Sequence, residues 1–135
     1  MSLFNDEQQR TLVAALDRIV PADGYPSASQ LGCLDFLLRL IPLEHLEKTY
    51  CDGLDGLNAE SLAKGSPFFD LPSTQQDELL HRLRHGHKTT DWKTNPKQFV
   101  AMLARQTIEG YYSDPGNGGN RGEVAWHMVG FEVKG

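Results

Sequence analysis

Apolar positions in this chain fall three and four residues apart over long stretches, the signature of helices that bury one face. The first stretch carries Leu12, Val13, Leu16, Ile19 and Val20. It opens on Asn5, which can cap, with Gln8 completing a capping-box-like pair. Asp6 and Glu7 suit the positive end of the helix dipole, and Phe4 is placed to staple the turn. Pro21 closes the helix, and Pro21-Ala22-Asp23-Gly24-Tyr25-Pro26 reads as a turn made rigid by its two prolines. A second helix, capped by Ser27 or Ser29, carries Leu31, Leu34, Phe36, Leu37, Leu38, Leu40 and Ile41. It is apolar nearly all round, as expected of a helix at the centre of a bundle or at an interface.

Pro42 predicts a break and the first position of a third helix, on which Leu43, Leu46, Tyr50, Leu54, Leu57 and Leu62 keep the spacing. Gly53 and Gly56 should weaken that helix by about 1 kcal/mol each relative to alanine. Gly65-Ser66-Pro67 ends it, and Phe68, Phe69 and Leu71 form a short apolar connector. Ser73-Thr74-Gln75-Gln76 reads as the capping box of a fourth helix bearing Leu79, Leu80 and Leu83, closed by Gly86. A polar loop over residues 87–94 leads to Asn95-Pro96, a cap with proline at the first helical position. In the fifth helix Phe99, Val100, Leu103, Thr107 and Tyr111 share one face while Ile108 and Tyr112 point elsewhere, so it is expected to be central or covered by a partner. Val124 to Val133 is the one candidate for extended structure. The pattern predicts a single all-α domain over residues 1–135: about five helices, a Gly/Asn-rich C-terminal loop and a short extended tail.

Composition narrows the function classes. A chain of 135 residues buries roughly two thirds of its unfolded surface, enough for one real core. A net charge of −5, with no block of like charge, gives no basic patch for nucleic acid. No apolar run approaches the ~20 residues of a membrane span. Cys33 and Cys51 sit in apolar helical patterns and read as small buried hydrophobes, not a disulfide framework. The opening MSLFNDEQQR has no basic segment followed by an apolar one, so it is not a secretory signal.

No local arrangement amounts to an active site. Asp77, His81 and His85 lie one turn apart on one face of the fourth helix, opposite Leu79, Leu80 and Leu83. Two such histidines, with His87 nearby, could contribute to a metal site, but HExxH is absent and further ligands would have to come from elsewhere. A solvated polar face is the simpler reading. The cysteines and histidines form no nucleophilic triad. The glycine-rich run Gly116-Asn117-Gly118-Gly119-Asn120-Arg121 lacks the Gly-Lys-Ser/Thr of a P-loop, and it follows a helix where a dinucleotide fingerprint follows a strand. Asp114, Asn117, Asn120 and Glu123 are hard oxygen donors whose spacing does not match an EF-hand. His127, beside Trp126, reads as a packing residue.

The most distinctive stretch is Glu109 to Phe131, EGYYSDPGNGGNRGEVAWHMVGF. It runs from the last turn of a helix through glycines and asparagines that tolerate positive φ into the apolar run Val124, Ala125, Trp126, Met128, Val129 and Phe131. A loop anchored by aromatics on both sides suits a contact surface better than a reaction centre.

Two segments resemble the gluconate 2-dehydrogenase subunit 3 family, the small subunit of membrane-associated, flavin-dependent sugar and sugar-acid dehydrogenases. Leu12 to Leu38, LVAALDRIVPADGYPSASQLGCLDFLL, resembles the family's opening helix, its Pro-Ala/Thr-Asp turn, and a helix carrying Gly-x-x-x-Phe. Glu109 to Phe131 resembles the family's Glu-Gly-aromatic-aromatic-Ser/Ala-Asp-Pro…Gly-Gly-Asn-Arg…Trp…Gly-Phe ending, and is the more specific. The middle, Leu43 to Asn95, carries no matching motif.

The resemblance implies a non-catalytic subunit that supports assembly, stability or export of a large FAD-dependent dehydrogenase, with a cytochrome c subunit often taking the electrons. FAD is expected on the large partner and no cofactor on this chain. The partner-binding residues expected are Tyr111, Tyr112, Asp114, Asn120, Arg121 and Trp126, because tyrosine, tryptophan and arginine most often anchor interfaces. The same residues could instead satisfy the loop internally. The other classes that remain are a stand-alone helical interaction module and a metal-binding protein using His81 and His85. Family members often carry a twin-arginine leader. Without one, the expectation is a cytoplasmic protein, or one on the periplasmic side of the inner membrane if a leader was trimmed or the partner carries the signal.

Overall fold

A computed structural model describes residues 3–113. The Gly/Asn-rich loop and the extended tail expected after Ser113 lie outside these residues. Five helices follow one another: α1 Asp6–Ile19, α2 Cys33–Leu43, α3 Glu47–Leu62, α4 Ser73–Arg84 and α5 Pro96–Tyr111. A single 3₁₀ turn, Phe68–Asp70, joins α3 to α4. There is no strand among the described residues, so the expected all-α class holds.

Several helix ends are decided by the residues at those ends. The Asn5 side chain accepts from the Gln8 amide at 2.7 Å and the Gln8 side chain accepts from the Asn5 amide at 3.0 Å, the reciprocal capping box. Asn95 caps α5 by accepting from the Gln98 amide at 2.9 Å, with Pro96 just inside the helix. At the end of α4, Gly86 takes φ +84°, and the amides of Gly86 and His87 return to the Leu83 and Arg82 carbonyls, both at 2.9 Å.

Three ends differ from expectation. Pro42 does not open α3; it lies in the last turn of α2. His45 then takes the left-handed conformation, φ 56°, and the amides of His45 and Leu46 bond back to Pro42 and Ile41. That closure reverses the chain, and α3 starts only at Glu47. Ser73 is already helical: Pro72 precedes α4 and no side chain caps it. Gln76 is used instead to donate from Nε2 to the Phe68 carbonyl at 2.7 Å, tying α4 to the 3₁₀ turn. Ser27 and Gln30 bond reciprocally, at 2.8 and 3.3 Å, but they close the turn ahead of α2, which begins after Gly32 at φ 96°.

Leu12, Leu16, Leu37, Ile41, Leu54, Leu57, Leu83, Phe99 and Leu103 meet in one buried cluster with Tyr50 and Tyr111. α1 and α5 each pack on all four other helices, so the fifth helix is central, one of the two places expected for it, although its second apolar direction, Ile108 and Tyr112, is exposed. α2 lies to one side, chiefly against α5. Only Cys33, Leu37 and Ile41 of its apolar residues are fully buried, while Leu34, Phe36, Leu38 and Leu40 are half-buried and Leu43 is 77% exposed. Of the two places its composition allowed, the centre of the bundle is therefore excluded.

The glycines of α3 act through their neighbours. A Cβ on Gly53 would overlap the Phe99 ring, and one on Gly56 would overlap the Trp92 ring. The helix-propensity cost expected at these positions is offset by letting α5 and the preceding loop approach closely.

Candidate functional site

The surface at the C-terminal end of α5 is built from its last turn and the α1–α2 linker. Asp17, near the end of α1, accepts from the Ser29 amide at 2.8 Å and the Ser29 hydroxyl at 2.6 Å, which fixes the linker. Tyr111 is 1% exposed, and its hydroxyl donates to the Pro26 carbonyl at 2.7 Å. Burial pushes the Tyr111 phenol above its ordinary value, so the hydroxyl stays a donor. Tyr112, 39% exposed, stands edge-on to Tyr111 with ring centroids 5.3 Å apart. Its amide returns to Ile108, itself 42% exposed. Tyr25, next to Pro26, is 51% exposed.

The two tyrosines therefore divide the work. Tyr111 holds the linker from inside, and Tyr112 is the member of the pair at the surface. Asp114, Asn120, Arg121 and Trp126, the other partner-binding residues expected, lie outside the described residues.

The histidines of α4 stay at the surface. His81 and His85 are exposed, their rings are 4.4 Å apart, and Nδ1 of His85 lies 2.8 Å from the His81 carbonyl oxygen. Asp77 is engaged elsewhere. Arg18 on α1 donates to its two carboxylate oxygens at 2.8 and 2.9 Å, and this hydrogen bonding holds the Asp77 carboxyl below its ordinary value. No group of three or more metal-ligating side chains occurs among the described residues.

The most heavily engaged charge in the described molecule is Glu60, which the pattern reading passed over. It is 2% exposed, on the inner side of α3. Its carboxylate accepts from the Thr89 and Thr90 amides (2.9 Å each), both threonine hydroxyls (2.8 Å each) and Nε1 of Trp92 (2.9 Å). Burial by itself would raise the Glu60 carboxyl; the donations from Trp92, Thr89 and Thr90 outweigh it and bring it down to about 2. One local signal existed: Glu60 follows Leu57 by three residues, on the inward side of α3, and a buried carboxylate requires partners. Its role is structural, pinning the loop before α5.

The described part of the molecule is thus a helical domain whose exposed apolar residues cluster partly at the end of α5 and whose polar clusters serve the fold. The family model for gluconate 2-dehydrogenase subunit 3 matches residues 6–134, and the chain belongs to that family, a subunit of a dehydrogenase complex. No curated protein and no solved structure matches the chain. Among the described residues, no helix is long and apolar enough to cross a membrane.

Proposed function

We propose that this protein is a non-catalytic accessory subunit that binds a large FAD-dependent dehydrogenase acting on a sugar or sugar acid, and supports its assembly, stability or export. Membership of a family named for the third subunit of gluconate 2-dehydrogenase, over residues 6–134, carries the reading. In this reading the flavin resides on the large subunit, a cytochrome c subunit takes the electrons, and this chain supplies contact surface. The exposed Tyr112, with Ile108 one turn before it on α5, supports a contact at the end of α5, to which Asp114, Asn120, Arg121 and Trp126 would add.

The test is co-expression with the adjacent large-subunit gene, then size-exclusion chromatography read at flavin wavelengths. A yellow complex, with the flavoprotein insoluble or inactive when expressed alone, is the expected result. Tyr112→Ala and Arg121→Ala should each weaken the complex while circular dichroism shows an intact fold. A colourless chain eluting alone beside a fully active flavoprotein would overturn the proposal and favour a stand-alone interaction module.

A further inference from the structure

Five of the chain's 13 lysines and arginines stand between Arg82 and Lys97, and Asp91 is the one acid there out of 18 in the chain. Neutral residues separate them, so they form no block along the sequence, and the fold decides where they gather. Arg82 and Arg84 close α4, where a cation suits the negative end of the helix dipole. The lysines are different. Lys88, Lys93 and Lys97 are exposed and border one open depression of about 440 Å³, together with Trp92 and Thr94. None of the three is in an ion pair among the described residues, whose ion pairs are Arg10–Asp6, Arg18–Asp77 and Lys48–Asp52. Asp91 lines a separate hollow with Asp52 and Asp55, which shares only Trp92 and Lys93 with the first. Lys97 is also misplaced for its own helix. It follows Pro96 in the first turn of α5, where a cation opposes the dipole and an acid is favoured. A local rule broken with no ion pair gained marks a residue kept for something other than the fold.

We infer that this depression binds an acidic segment of another polypeptide, whose carboxylates meet Lys88, Lys93 and Lys97. The frame is held ready for it. The buried Glu60 carboxylate fixes Thr89, Thr90 and Trp92, between Lys88 and Lys93, and the Asn95 cap fixes the start of α5. The backbone that carries the three ammonium groups is therefore in place before a partner arrives, and little ordering opposes binding. A flat lipid surface does not enter a concave site. The exposed large apolar residues that could insert beside the lysines are Tyr25, Leu43, Leu62, Ile108 and Tyr112, and all lie outside residues 82–97. Nucleic acid calls for a longer run of cations than three. The site is separate from the contact proposed above: the 16 residues of α5, about 24 Å of helix, lie between it and Tyr112.

Fluorescence anisotropy of a labelled oligoglutamate peptide, titrated with the full-length chain, tests the inference. At about 0.1 M salt the Debye length is ~10 Å, so acids elsewhere on the chain are screened while contacts inside the depression are not. Binding should be saturable. Lys88→Glu, Lys93→Glu and Lys97→Glu together should weaken it about tenfold. Arg39→Glu, Lys48→Glu and Arg105→Glu together make the same change in net charge at exposed positions elsewhere, and should leave it within about twofold. Lys97→Glu alone should weaken binding while raising the thermal midpoint, because glutamate suits the first turn of a helix. That single variant keeps the test decisive should the triple one fail to fold. Absence of saturable binding, equal weakening by the two triple variants, or a lowered midpoint for Lys97→Glu would each overturn the inference. So would tighter binding through the same lysines to phosphatidylcholine–phosphatidylserine vesicles or to oligouridylate, which would assign the depression to lipid or nucleic acid. The large flavoprotein takes no part in these titrations, so the co-expression result stands or falls separately.

Discussion

Replacing Glu60 by glutamine should weaken the anchoring of the loop that precedes α5. Five donors converge on this carboxylate: two amides and two hydroxyls from Thr89 and Thr90, and the Trp92 indole. A glutamine oxygen in the place of Oε2 keeps the four donors found there, but those bonds lose the charge that strengthens them, and the NH₂ replaces the oxygen that accepts from the Thr89 hydroxyl. The displacement of the Glu60 carboxyl from 4.5 to about 2 sets the scale, about 3 kcal/mol of stability at neutral pH. The sign follows from the direction. The folded state holds the carboxyl below its unfolded value, so the stability is fully present above about pH 5 and is lost as pH falls toward 2. Urea unfolding followed by far-UV circular dichroism measures it. With an m-value near 2 kcal/mol/M, the midpoint of Glu60→Gln should fall by about 1.5 M at pH 7. The gap from the unaltered protein should narrow steadily between pH 5 and pH 2.5. A loss below about 0.5 kcal/mol at pH 7, or a gap that stays constant with pH, would show that these donors do not hold the carboxylate, and the argument would fail.

Gly53→Ala should destabilise the protein by about 1–3 kcal/mol in the same assay, although alanine is the better helix former, because the new methyl meets the Phe99 ring, which is buried and packed edge-on against Tyr50. Stabilisation would mean that the ring can move aside. Tyr50→Phe removes the hydroxyl bonded to the buried Gln106 amide oxygen and should cost about 1–2 kcal/mol, read as a lower unfolding midpoint with no change in helical content. A thiol reagent should label Cys51 well before Cys33 in the folded protein. Burial pushes the Cys33 thiol up to about 12, with Asp17 adding to it, whereas Cys51 is only part-buried. Equal labelling rates would contradict the packing of α2 on α5.

What could be read along the chain was whatever neighbours in sequence decide. Asn5 with Gln8, Asn95 with Pro96, and Gly86 each settle a helix end through bonds to backbone a few residues away, so these ends were legible. The inward face of α5 and the solvated face of His81 and His85 followed from periodicity, because a helix fixes which residues share a side; of the stripe expected on α1, Leu12 and Leu16 are buried, while Val13, Ile19 and Val20 are half-buried and Thr11 and Ala15 complete the buried side. The stretch that resembles the family's ending was legible as motif, from Glu109 to Phe131, and the family model matches residues 6–134; its residues beyond Ser113 lie outside the described structure. Other features depended on residues far off in the chain. Pro42 looked like a helix start, but the closure through His45 in the left-handed conformation keeps it in the last turn of α2; α4 does start at Ser73, but without the expected capping box, because Gln76 bonds to the 3₁₀ turn instead. Gly53 and Gly56 looked like weak points until Phe99 and Trp92 arrived against them. Glu60 looked like one more helix acid until a loop 29 to 32 residues later closed over it. Tyr111 and Tyr112 are adjacent in sequence, and only the Pro26 carbonyl, 85 residues before Tyr111, separates the buried one from the exposed one. Local backbone chemistry can be read from a short window; a side chain's environment is set by which distant elements pack on it, and that exists only once the chain has folded.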